Sequence, residues 1–157
     1  MDSISLSRMA IKLLRNSGVR FLGVYPSDHL PCVYEISSRT PCCYIANSDP
    51  CNEIGTHWVA FFHPHPKVIE FFDSFGKTPA YYGFPIPNNM SLFHNKNQLQ
   101  SNNSSLCGQW CILFIFRRSQ GTSFRSLLHK LSSLTPSKAD LLVQNYYSQL
   151  SYHLKTS

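Results

Sequence analysis

Cys107, in the segment Ser105-Leu-Cys-Gly-Gln-Trp-Cys111, has the setting of a nucleophilic thiol. The attacking species is the thiolate. A nucleophilic cysteine therefore needs surroundings that favour negative charge, a base, and a group that orients the base. Cys107 is expected in the first turn of a helix, where free backbone N–H groups and the helix dipole favour an anion. Gly108 is expected to leave the approach to the sulfur open. Cys111 lies one turn further in, among Trp110, Ile112 and Leu113, and reads as a buried, inert thiol.

His57 is the base that the pattern offers. It opens the apolar run His57-Trp-Val-Ala-Phe-Phe-His63, and Asp73 closes the next run, Lys67-Val-Ile-Glu-Phe-Phe-Asp73. His63-Pro-His-Pro66 lies between the runs as a turn, which makes them an antiparallel pair. The first residue of one strand then lies near the last residue of its partner. That pairing alone puts the His57 imidazole and the Asp73 carboxylate at one end of the sheet. An oxyanion would also need donors. The Cys107 backbone N–H is one, and Gln98 or Gln100, just upstream, offers a side-chain amide.

These residues need a scaffold. Residues 3–16 read as an amphipathic helix with Ile4, Met9, Ile11, Leu13 and Leu14 on its apolar side. Residues 21–25, 32–36 and 42–46 have strand composition, and residues 83–104, rich in Pro, Asn and Ser, read as irregular. Ser104 or Ser105 suits the N-cap of a helix running to about Phe116, apolar nearly all round and hence central. Helices over 123–133 and 137–153 follow, with Pro136 near the start of the second. The expected fold is α+β: a single domain over residues 1–157, with a mainly antiparallel mixed sheet packed on a buried helix.

Composition narrows the function classes. The chain has 157 residues, with 11 Phe and 8 Tyr, enough to fill one core. No apolar run spans a bilayer and no secretory signal is visible, so no membrane partner and a reducing, intracellular setting are expected for the 6 cysteines. Lys and Arg number 14 against 8 Asp and Glu. After residue 110 stand Arg117, Arg118, Arg125, Lys130, Lys138 and Lys155 against only Asp140, a bias that suits either DNA or a solvated helical surface.

Gly55-Thr-His-Trp58, Phe72-Asp-Ser-Phe-Gly76 and Gln100-Ser-Asn-Asn-Ser-Ser-Leu-Cys-Gly-Gln-Trp-Cys111 together resemble the adenovirus maturation protease family of the adenain type. More widely they resemble the clan of SUMO-deconjugating (Ulp/SENP-type) cysteine proteases. Phe21-Leu-Gly-Val-Tyr25 is similar to an early segment of the adenovirus enzymes, so the resemblance covers about residues 18 to 118. It implies that Cys107 is the nucleophile, His57 the base, Asp73 the orienting acid and Gln100, rather than Gln98, an oxyanion-hole donor. It also implies polypeptide substrates, namely viral capsid and core precursors cut at glycine-containing sites, a setting in the host nucleus and virion, and a monomer. No cofactor is required for the chemistry. Activation by a viral peptide and by DNA belongs to the family's pattern. Two departures are visible. The acid is Asp where adenoviruses use Glu, and no cysteine between Cys51 and Cys107 is present to hold a peptide by a disulfide.

Three other readings follow from the same residues. A ubiquitin-like isopeptidase would use the same site. A basic, non-catalytic DNA-binding protein would account for the charge but not for the Cys–His–Asp–Gln order. A metal held by His63, His65 and cysteines lacks paired ligand spacing, and no metal is expected.

Overall fold

The computed structural model describes residues 1–156. Helix α1, Ser3–Leu14, starts where the Asp2 carboxylate accepts a hydrogen bond from the Ser5 N–H at 2.8 Å. It buries Leu6, Ala10 and Leu14, one residue per turn, while Ile4 and Ile11 of the expected apolar side face solvent. The apolar stripe is thus narrower than the residue types suggest, and its centre is set by what α1 packs on.

Five strands form one sheet in sequence order: β1 (Arg20–Tyr25), β2 (Cys42–Asn47), β3 (Trp58–His63), β4 (Val68–Phe72) and β5 (Ser91–His94). The centre is antiparallel, β2 with β3 and β3 with β4, and both edges are parallel, β1 with β2 and β4 with β5. The centre of the sheet is buried on both sides, so β2 and β3 read as continuous apolar runs. Cys43, Ile45, Ala60 and Phe62 face one core; Cys42, Tyr44, Ala46, Val59 and Phe61 face the other.

The first core is covered by α1 and by helix α3, Cys107–Ser119, whose residues Trp110 to Ile115 are all buried. Phe114 stacks on Phe72 with centroids 4.8 Å apart. Burying each such side chain contributes about 1.5–3 kcal/mol, and Trp110→Ala would cost about 3–5 kcal/mol. Helices α4 (Phe124–Ser132) and α5 (Pro136–Thr156) close this side through Leu127, Leu131, Ala139 and Val143.

Two sequence expectations are corrected. Residues 32–36 form no strand but the start of the short helix α2, Val33–Ser38, capped by the Cys32 sulfur accepting from the Glu35 N–H at 3.4 Å. Residues 83–104 are not wholly irregular, because β5 lies within them, paired to β4 from Val68↔Ser91 to Phe71↔His94. A 3-10 turn, Pro79–Tyr82, precedes β5. Among the described residues no helix is long and apolar enough to cross a membrane.

Candidate active site

Residue His57 stands just before β3 and Asp73 just after β4, so antiparallel pairing brings them together. His57 Nε2–H donates to Asp73 Oδ1 at 2.6 Å. Asp73 is fully buried. Its Oδ1 also accepts from the Phe75 N–H at 3.1 Å, and its Oδ2 accepts from the Lys77 N–H at 2.8 Å and the Tyr82 hydroxyl at 2.9 Å. All four bonds use the carboxylate as acceptor, which satisfies its buried charge. Asn95 brackets the same residue from β5's end: its Oδ1 accepts from the Asp73 N–H at 3.0 Å and its Nδ2 donates to the Asp73 carbonyl at 2.5 Å. Phe75 and Tyr82 lie against the imidazole, with centroids 4.9 and 5.7 Å away.

With Nε2 taken, Nδ1 is the ring nitrogen left for a thiol, and Cys107 stands near enough to His57 for each to shift the other's titration. Burial pulls the imidazole down, but hydrogen bonds to Asp73 and Cys107 and their negative charges push it up to about 9. Burial raises the Cys107 thiol, yet the hydrogen bond with His57, the Trp58 and Gly108 backbone groups and the His57 charge bring it below its ordinary value. The two shifts agree in favouring a thiolate–imidazolium pair. Cys111, fully buried on the same helix, has only burial and like charges around it and is raised well above the ordinary thiol value.

Helix α3 begins at Cys107, but the cap differs from expectation. Leu106 is the N-cap and has no side-chain bond; Ser104 Oγ instead accepts from the Leu106 N–H at 3.3 Å. Gly108 does not open an approach to the sulfur. It is buried, and a Cβ there would meet Leu6 Cδ2 at 3.2 Å and Met1 Cβ at 3.3 Å, so its size serves packing of α1 on α3. Trp58 anchors the strand, its indole N–H donating to the Met1 carbonyl at 3.0 Å.

Gln100 is buried, and Gln98 is exposed. Gln100 Oε1 accepts from the Ser74 hydroxyl at 2.6 Å, and its Nε2 donates to the Ser104 carbonyl at 2.7 Å with Ser104 Oγ at 3.3 Å. Gln98 spends its amide on the Gln100 carbonyl and on Asn102 Oδ1. The loop after Asp73 also carries this segment, since the Ser74 carbonyl accepts from the Leu99 and Gln100 N–H groups at 2.8 and 3.0 Å. Gly76 allows that docking twice over: its φ is +72°, and a Cβ would lie 2.7 Å from the Asn97 carbonyl carbon.

Several residues here were not singled out from sequence as part of the site: Tyr82, Asn95, Ser74 and Asp140. Asp140, counted above only in the charge balance, is buried on α5. Its Oδ1 accepts from the Trp110 indole at 2.9 Å, and its Oδ2 accepts from the Ser101 N–H at 3.0 Å and from the Ser101 hydroxyl. Arg118 likewise leaves the basic surface, pairing with Glu70 at 2.6 and 2.9 Å over the Phe62 ring. Arg125, Lys130 and Lys138 are exposed, and the Lys155 side chain lies outside the described residues. His63 is buried and stacked on Tyr44, 5.7 Å between centroids, and forms no metal cluster with His65 among the described residues.

No family model matches the chain. It is 29% identical over 137 residues, 72% of this chain and 67% of the relative, to a protein named Protease from Snake adenovirus serotype 1. The chain is thus similar, over most of its length, to a protein named Protease from an adenovirus.

Proposed function

We propose that the chain is a cysteine endopeptidase of adenovirus type that cuts viral precursor proteins. The observation that carries this reading is the Cys107–His57–Asp73 line at the start of α3, with His57 held at 2.6 Å from Asp73. The Cys107 thiolate attacks the scissile carbonyl carbon, and the carbonyl electrons move onto oxygen. As the tetrahedral adduct collapses, the C–N bond breaks and His57 gives its proton to the departing amine. Water then attacks the thioester, His57 takes its proton, and the acid leaves with Cys107 as thiolate again. The Cys107 N–H and Gln100 stabilise the oxyanion. Gln100 does so by turning the N–H nearest Ser104 Oγ to substrate while the Ser104 carbonyl keeps the other. The pair works between the lowered pKa of Cys107 and about 9, so activity falls on the alkaline side as His57 loses its proton.

The name of the snake adenovirus relative supports the protease class, and the buried, high-pKa Cys111 supports the choice of Cys107. Stimulation by DNA through Arg125, Lys130 and Lys138, and by a viral peptide, belongs to the same reading. The test is cleavage of capsid-precursor peptides, followed by mass spectrometry, with and without DNA. Cys107→Ala should remove cleavage and labelling by a thiol-directed inhibitor; Cys111→Ala should keep both. Cleavage by Cys107→Ala at the wild-type rate would sink the proposal. SUMO conjugates run in parallel separate an endopeptidase from an isopeptidase.

A further inference from the structure

Among the described residues, one group of metal-binding side chains lies outside the candidate active site. Asp28 and His29 stand in the loop after β1, and Cys51 stands in the loop between β2 and β3. One ligand atom from each lies within 4.8 Å of the others. The convergence is built into the backbone. The Cys51 N–H donates to Asp28 Oδ1 at 2.9 Å, and the Ser27 N–H donates to the Asp49 carbonyl at 3.0 Å, so two hydrogen bonds already tie the loops together. His29 Nδ1 lies 3.1 Å from the same carboxylate oxygen.

The donor types select an ion class. Thiolate, imidazole and carboxylate together suit zinc-like cations, whereas magnesium and calcium take oxygen-only shells. Donors around a tetrahedral zinc stand about 3.5 Å apart, so closure of roughly 1 Å from the observed limit completes three positions and leaves the fourth to water. Exposed side chains can make that movement without disturbing a core. Cys32, the other exposed cysteine, uses its sulfur to cap α2.

We propose that Asp28, His29 and Cys51 form a binding site for a zinc-class divalent cation, which clips the loop after β1 to the loop that leads into His57. The site does not depend on the role of Cys107. Because Cys107 and His57 would themselves attract a thiophilic metal, the experiment uses the full chain carrying Cys107→Ala. Cobalt(II) is titrated in and followed by its thiolate charge-transfer absorption. One cobalt should bind with a thiolate band, displaced by zinc and not by magnesium. Cys51→Ser should abolish the band, and Asp28→Asn and His29→Ala should each weaken binding about tenfold or more. A band that survives Cys51→Ser, displacement by magnesium, or affinity unchanged by both Asp28→Asn and His29→Ala overturns the proposal, as does no binding below about 1 mM.

Discussion

The two ends of β3 carry histidines in opposite circumstances. His57, at the start, and His63, at the end, are both nearly excluded from solvent, at 7% and 1% exposure. Burial disfavours the charged imidazole at both. At His57 a buried carboxylate and a thiol outweigh it and lift the ring to about 9. At His63 the ring lies flat on Tyr44 beside a cavity of about 550 Å³, and neither nitrogen has a well-formed hydrogen bond among the described residues; burial brings the ring down to about 4 against only a small opposing pull from the Val68 backbone. Burial alone makes a histidine a neutral aromatic filler. A partner that is itself fully hydrogen-bonded makes it a stored proton.

The sharpest way to break this contrast is to remove each ring in turn. His57→Ala should lower kcat/KM for peptide cleavage by about 10⁴-fold or more, while His63→Phe, which keeps the stack on Tyr44, should stay within about threefold of wild type. Equal losses would erase the distinction. Asp73→Asn should cost about 10³–10⁴ in kcat, and an NMR titration of His57 should show its pKa falling from about 9, since hydrogen bonding to Asp73 is the largest influence raising it.

Stability should separate the two rings by pH. The folded value of His63 lies below its unfolded 6.5, so the unfolded chain binds more protons in acid. Its neutral burial therefore costs stability progressively as pH falls from 6.5 through about 4, by roughly 3 kcal/mol at most. His57 has the opposite sign: its contribution is complete below 6.5 and is lost as pH rises through about 9. Urea melts across pH should show an acid limb that His63→Phe flattens and an alkaline limb that it leaves alone. The smallest effect belongs to Tyr82→Phe, which deletes one of four donors to Asp73. A loss in kcat of about tenfold or less, with KM unchanged, is expected from that single hydrogen bond. An unaltered kcat would mean that the remaining three donors suffice.

How much was legible in the sequence follows from which interactions are local. The His57–Asp73 contact follows from two apolar runs and one turn, because antiparallel pairing converts sequence order into proximity. The helix starting at Cys107 was readable from its apolar run, though its cap was not: Ser104 works from two residues away through the Leu106 N–H. Strand β5 was hidden because Ser91–His94 is short, alternately exposed, and ordered only by pairing with β4. Helix α2 was misread because Val33, Tyr34 and Ile36 favour strands; Glu35 three residues after Cys32, in the pattern of a capping box with sulfur in place of hydroxyl, was the available signal. Tyr82, Asn95 and Asp140 join the network across long stretches of chain, and no spacing rule points to them.

Asp140 has a mechanical consequence. It is a pin through three parts: the long α5, the Trp110 side of α3, and Ser101 next to Gln100. A load applied along α5 therefore reaches the segment before Cys107 at one point, and slippage of α5 by a single turn, about 5.4 Å, would strip the pin from both partners at once. The arrangement makes α5 a lever with its fulcrum set against the segment that leads into Cys107.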